Sequence, residues 1–387
     1  MWKKYFLNKN FSLLFFVIVS GMVLFSWFWG GFPESESKKI TAKDTASAVP
    51  PPVPVVLHIK TPNSVRAIYM TSWVAGTKKW RENLVDFIKK SEINSVVIDI
   101  KDYSGRVSFN TGDEFIKKIG SEEMRVSDMK EFLDSLHQSD IYVIGRITVF
   151  QDPFFSKLNL SLAVQKKNGT LWKDRKGLSY IDPAAEEYWK YIVRIAQASE
   201  KIGFDEINFD YIRFPSDGDM KNITFPISGI KGLTHKESIL NSFFAYVRGE
   251  LKNIGVPLSA DVFGMTTINK DDLNIGQVLE GLEPYFDYIA PMVYPSHYPP
   301  TFNGFKNPAA HPYEIIKLSM DSAVSRLKAA SSTPFKLRPW LQDFNLGAVY
   351  DAEKIRAEKR AVYDAGLTSW MMWDPSNKYT KEAYDAK

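Results

Sequence analysis

Eight short apolar runs, rich in Val, Ile and aromatic residues, recur from residue 65 onward and alternate with longer amphipathic stretches. The runs fall at 65–70, 95–100, 142–148, 206–210, 257–262, 288–293, 337–341 and 369–373. Helix-period segments lie between them at 84–92, 127–138, 184–202, 236–253, 276–285, 312–330 and 352–365. Strands that are apolar on both faces need cover on both, and a parallel sheet wrapped in helices supplies it. Eight such units predict an α/β fold, a (β/α)8 TIM barrel, over residues 63–387. An open doubly wound sheet is the rival. It calls for a Gly-rich turn after its first strand, and Thr71-Ser-Trp-Val-Ala-Gly-Thr77 is a poor one. The body exceeds the ~250 residues of a plain barrel. The excess lies at 152–182, 216–234 and 294–311, always after a strand and therefore at the rim.

Two segments precede the barrel. Lys3, Lys4 and Lys9 lead into an uncharged run from Asn10 to Pro33, long enough to cross a bilayer, which takes about 20 apolar residues. Positive charge ahead of the run keeps the N-terminus cytoplasmic and places the body outside. The expectation is a transmembrane signal anchor over 1–33, with a cleaved signal peptide, and hence a secreted body, as the competing reading. Residues 34–62, including Val49-Pro-Pro-Pro-Val-Pro-Val-Val56, read as a stiff Pro-rich linker.

Carboxylates close several strands: Asp99, Asp210, Asp261, Asp343 and Asp374. The C-terminal ends of barrel strands carry chemistry, and glycoside cleavage ordinarily takes two carboxyl groups flanking the scissile bond. Period-two alternation puts Glu206, Asn208 and Asp210 on one face, with Glu206 deep and Asp210 at the mouth. Asp210 is the leading nucleophile; helix capping or a pair with Arg213 is the plainer alternative. Asp261, on the next strand beside Val262 and Phe263, is the expected general acid/base, its pKa raised by apolar neighbours. A structural carboxylate is nearly as good a reading of it. Asp343 and Asp374 suit sugar hydroxyls or turn capping, the latter above all at Asp374-Pro-Ser-Asn. Asp99 and Lys101 share a face by alternation, as a buried ion pair or as substrate contacts, and Arg146 reads as an inner cation bridging carboxylates.

Aromatic residues make up 14% of the chain and supply flat apolar faces on which sugars pack. Tyr69, Trp73, Tyr103, Trp172, Tyr211, Tyr294, Tyr298, Trp340 and Trp373 sit at or near strand ends. Trp172, in the polar segment 166–174, reads as a rim platform. No cofactor or metal is expected: the five His are scattered, without metal-ligand spacing. A net charge of +4 is too small and dispersed for a nucleic-acid binder. Absence of cysteine removes thiolate chemistry.

The strings Arg66-Ala-Ile-Tyr-Met-Thr-Ser-Trp73, Val97-Ile-Asp-Ile-Lys-Asp-Tyr-Ser-Gly105, Phe209-Asp-Tyr-Ile-Arg-Phe-Pro215, Ala290-Pro-Met-Val-Tyr-Pro-Ser-His297 and Ser369-Trp-Met-Met-Trp-Asp374 resemble a bacterial family of glycoside hydrolase domains. That family is similar to barrel families that include deacetylase-linked hydrolases acting on extracellular amino-sugar polymers. The resemblance runs from about Val65 to Tyr379. It implies a TIM barrel and a catalytic Asp on the fourth strand, which falls on Asp210. The expected function is therefore cleavage of a cell-envelope or extracytoplasmic polysaccharide, with that polymer and the membrane as partners. A non-catalytic glycan-binding or scaffolding barrel is the alternative. A weaker third reading is an enzyme that recognises phosphate or carboxylate through Lys101, Arg146 and Arg213.

Overall fold

The computed structural model describes residues 57–230 and 235–387. Its strands are β1 (Arg66–Met70), β2 (Ser95–Lys101), β3 (Tyr142–Thr148), β4 (Gln165–Lys166), β5 (Glu206–Asp210), β6 (Ile223–Thr224), β7 (Leu258–Phe263), β8 (Tyr288–Met292), β9 (Trp340–Gln342) and β10 (Trp370–Trp373). Eight of them close a barrel in the order β1-β10-β9-β8-β7-β5-β3-β2, and every pair in it is parallel. The β/α alternation thus resolves as a closed barrel, and the open sheet is discarded.

Helices Lys78–Lys90, Met129–His137, Glu186–Ile202, Lys236–Glu250, Pro312–Ala329 and Ala352–Asp364 cover the outside. The helix expected at 276–285 shrinks to Leu279–Leu282 with a 3-10 turn at Glu283–Tyr285. Pro284 cannot donate within a helix and Gly281 weakens one, so the turn stops early. Strand β9 opens only after Pro339, which has no N–H to give to the ladder. Two of the three rim segments are tied together: β4 and β6 pair antiparallel and join the long connections after β3 and β5.

The large apolar core lies between barrel and helices. A smaller one fills the barrel and includes Ala67, Tyr69, Val97, Ile144, Ala290, Trp340 and Met371. Alternation along each strand assigns these faces. Among the described residues, no helix is long and apolar enough to cross a membrane. The run behind the anchor expectation (1–33) lies outside the described residues, as does most of the 34–62 linker.

Candidate active site

At the C-terminal mouth of the barrel, four inward side chains from four strands converge: Asp99 from β2, Arg146 from β3, Asp210 from β5 and Asp261 from β7. Register sets this up, since Asp99 pairs with Arg146 across β2 and β3, and Thr148 with Asp210 across β3 and β5. Arg146 is the hub. Its Nη1 donates to Asp99 Oδ1 at 2.7 Å and its Nε to Asp210 Oδ2 at 3.0 Å. Its Nη2 also donates to Asp210 Oδ2. Nε lies 3.9 Å from Asp261 Oδ2. All four residues are buried.

Each carboxylate has its own second support. The Asp99 Oδ2 accepts the Tyr69 hydroxyl at 2.5 Å. Asp210 Oδ1 accepts the backbone N–H of Tyr211 at 2.6 Å, a contact made as Tyr211 turns left-handed at φ 53°. That conformation is costly for a bulky non-glycine residue, and here it swings the main chain out of the strand directly after the acid. Asp261 Oδ1 accepts two donors, Asn208 Nδ2 at 2.9 Å and Trp340 Nε1 at 2.8 Å.

Burial and neighbouring charges act on this cluster. Burial, then repulsion from Asp210, push the Asp261 carboxyl well above the usual range, against the pull of Arg146, Asn208 and Trp340. Burial also raises Asp99, partly offset by Arg146 and by the Tyr69 hydroxyl. Desolvation opposes the charge on Arg146, yet Asp210, Asp99 and Asp261 outweigh it and hold the guanidinium firmly protonated. The mouth therefore holds one cation and three carboxyl groups, with at least one of those acids favouring its proton.

Rings frame this cluster. Tyr69 and Trp373 stack with centroids 4.0 Å apart, Trp340 meets Trp373 edge-on at 5.5 Å, and Arg146 lies over Trp373 at 5.1 Å. Trp373 is half-buried. Tyr294 is held against Phe344; burial, Asp261 and Asp210 together raise its phenol pKa well above the usual value. Outside the cluster, Trp73 is 53% exposed and has the Arg125 guanidinium over its ring at 4.4 Å.

Several expected site residues are placed elsewhere. Lys101 does not share the inner face with Asp99. A bulge shifts the register so that Lys101 pairs with Ile147 instead of Thr148, which turns its side chain outward. There it forms a fully buried pair with Asp152 at 3.0 Å, close to the Tyr188 ring, and burial lowers its pKa despite Asp152. Trp172 is no rim platform. It is fully buried, with Nε1 donating to the Asp219 carbonyl at 3.0 Å, because the joined rim segments fold over it. Arg213 lies against Tyr211 and Phe263 and donates to the Phe214 carbonyl and Ser216 Oγ, so it braces its own loop and does not pair with Asp210. Asp343 accepts from Thr380 and Tyr384, and Asp374 from Ser376 and Lys378. Both fasten the C-terminal segment. Of the three cations in the anion-recognition reading, Lys101 pairs outside the barrel with Asp152, whereas Arg146 and Arg213 both lie near Tyr211.

Asn208 is the residue that sequence reasoning left without a role. Its signal was its position, two residues before Asp210 on the same face. Among the described residues, no cluster of three or more His, Cys, Asp or Glu is arranged to hold a metal ion.

No curated protein matches the chain. Among solved structures, a hypothetical protein from Ruminiclostridium thermocellum is 37% identical over 50% of this chain and 97% of its own, with a TM-score of 0.46. The glycoside hydrolase domain of PgaB (BpsB) from Bordetella bronchiseptica is 15% identical, covers 83% of this chain and 97% of its own, and has a TM-score of 0.59. Alpha-L-fucosidase isoenzyme 2 from Paenibacillus thiaminolyticus is 12% identical, covers 83% and 48%, and has a TM-score of 0.57. These last two likenesses concern the barrel fold. The family model described as "putative glycosyl hydrolase domain" matches residues 67–379, most of the chain, and the protein belongs to that family.

Proposed function

We propose that the barrel hydrolyses O-glycosidic bonds of a polysaccharide, with Asp210 as nucleophile and Asp261 as general acid and then base. The observation that carries this reading is the placing of two strand-end carboxyl groups around one arginine: Arg146 Nε lies 3.0 Å from Asp210 Oδ2 and 3.9 Å from Asp261 Oδ2, and burial and Asp210 raise the Asp261 carboxyl. Those two oxygens can therefore be no more than roughly 7 Å apart. That bound on the two Oδ2 atoms is compatible with the ~5–5.5 Å spacing of a retaining enzyme.

Retention follows in two displacements. Asp210 Oδ1, which accepts a single N–H and keeps a lone pair, attacks the anomeric carbon while the Asp261 proton passes to the leaving oxygen. Asp261, now a carboxylate, takes a proton from a water that attacks the same carbon and releases Asp210. Arg146 stabilises the carboxylate charge throughout. Trp373, backed by the buried Tyr69 ring, offers the sugar an apolar wall, and Trp73 is an exposed ring farther out. The charged N-terminal lysines and the uncharged run after them support an extracytoplasmic polymer as substrate, such as one of the cell envelope, with the barrel tethered to the membrane.

The test is reducing-end release from a panel of envelope and exported polysaccharides. Asp210→Asn should lower turnover on any cleaved polymer by on the order of 10⁶-fold, as removal of a covalent nucleophile does, with the fold retained. Undiminished turnover in that variant removes Asp210 from the chemistry. Calorimetric binding without reducing ends from the parent protein would instead assign a glycan-binding barrel.

A further inference from the structure

The two oxygens of Asp261 are not equivalent. Oδ1 accepts both Asn208 Nδ2 at 2.9 Å and Trp340 Nε1 at 2.8 Å. A carboxyl oxygen offers two lone-pair directions to donors, and both are taken. Among the described residues, Asp261 Oδ2 accepts no hydrogen bond; Arg146 Nε stands 3.9 Å from it, beyond hydrogen-bond range. A proton on Oδ1 would have to displace one of the N–H donors and leave it buried without a partner, which is costly. On Oδ2 a proton displaces nothing.

The geometry points to Trp340 and Asn208 as positioning residues that confine the Asp261 proton to Oδ2, the oxygen on the Arg146 and Asp210 side. This rests on the acid role proposed for Asp261. In that role the Oδ2–H bond breaks as the new O–H bond forms on the leaving sugar oxygen, which keeps the electron pair of the broken C–O bond. Oδ1 is the carbonyl oxygen at the start of that step and shares the carboxylate charge with Oδ2 once the proton has left, held by the indole and the amide. Trp340 thus does more than fill the barrel. It comes from β9, Asn208 from β5, and between them they brace the acid from both flanking directions. Asn208 is itself steadied by a 3.1 Å contact to Ser259 Oγ.

Infrared spectroscopy of the full chain, with aspartate labelled by ¹³C at the carboxyl carbon, reads this directly and needs no substrate. At pH 7 the parent should show a protonated-carboxyl C=O band that disappears in Asp261→Asn. Trp340→Phe keeps the ring bulk and removes the N–H. Asn208→Leu removes the other donor with little change in volume, so one variant decides if the other does not fold. Each should move the band to higher wavenumber, because a carbonyl that loses an acceptor bond stiffens, whereas a purely structural role would lower melting temperature and leave the band in place. A band unmoved in the folded variants, or no band lost in Asp261→Asn, overturns the assignment. The catalytic reading fails separately: if Asp261→Asn still releases reducing ends at the parental rate while Trp340→Phe shifts the band, the proton is where we place it but is not the one used in cleavage.

Discussion

At the base of the barrel Arg338 faces one carboxylate, and at the mouth Arg146 faces three. Strand β5 reaches both, with Glu206 at its start and Asp210 at its end. At the base, Arg338 Nη1 donates to Glu206 Oε2 at 2.7 Å, the Tyr142 hydroxyl donates to the same oxygen at 2.9 Å, and the guanidinium lies over the Tyr288 ring. One positive charge meets one negative charge, and the interior is closed. At the mouth the same kind of guanidinium is outnumbered, and burial makes the imbalance expensive. Burial and the neighbouring Asp210 raise the Asp261 pKa, the direction that relieves such a surplus. The same residue types serve both ends of the barrel, and the ratio of charges tells the two apart.

The largest effect that would sharpen this contrast is at the base. Glu206→Ala leaves Arg338 buried without its partner and should cost about 3–5 kcal/mol of stability, measured by urea unfolding. The double variant Glu206→Met, Arg338→Leu should recover most of that loss, because an apolar pair of similar size needs no counter-charge. Cleavage per folded molecule should persist in the double variant. If it vanishes, the base takes part in the chemistry and the contrast breaks. The buried Lys101–Asp152 pair behaves like the base, so Asp152→Ala should destabilise by a similar ~3–5 kcal/mol, aggravated by loss of the acceptor for Tyr188 and Phe155 N.

The alternation of runs was legible because every barrel strand is apolar on the face it turns to the helices and its length is set by flanking turns. Asp210 and Asp261 were legible as strand-end acids by the same alternation. Lys101 was misread because a one-residue bulge reverses the face of everything after it, and no residue pattern in Val97-Ile-Asp-Ile-Lys-Asp-Tyr announces one. Trp172 was misread because its cover comes from a segment about fifty residues away, through the β4–β6 pairing. The arginine hub was partly legible: a bridging role for Arg146 follows from inward alternation, but the convergence of three acids on it depends on barrel closure. Asn208 escaped assignment because an amide acquires a role only through the neighbour it touches.

A smaller effect concerns the mouth and its stability. A carboxyl whose native pKa is raised keeps its proton where the unfolded chain has lost it. Stability then falls as pH rises from the unfolded value, near 3.9, up to the raised native value, and the full cost is present above that. Asp261 is such a group. Asp261→Asn preserves an acceptor for Asn208 and Trp340 and cannot ionise. It should therefore match the parent near pH 3, become progressively more stable than the parent above pH 4, and lack activity throughout. A variant that is less stable than the parent at pH 7 would show that the ionised Asp261 is welcome at the mouth and that the charge surplus has been misjudged.

The smallest effect lies below the base, where residues 57–62 cross the barrel bottom. Ile59 N donates to Asp205 Oδ1 at 2.8 Å, and His58 stands 3.6 Å from both Asp205 and Glu200 through its two ring nitrogens. Asp205 raises the His58 pKa most, burial opposes it, and Glu200 adds to the rise; His137 shares Asp205 from the other side at 3.0 Å. The sign is opposite to that at the mouth. A raised histidine stabilises fully below its unfolded value, near 6.5, and that contribution is lost as pH climbs through the raised native value. His58→Gln should therefore reduce stability at pH 5.5 by less than about 1 kcal/mol, since the ring is partly solvated, and by nothing at pH 9. Thermal melts of parent and variant at the two pH values measure it, and a deficit of equal size at both would mean that His58 holds the strap by packing alone.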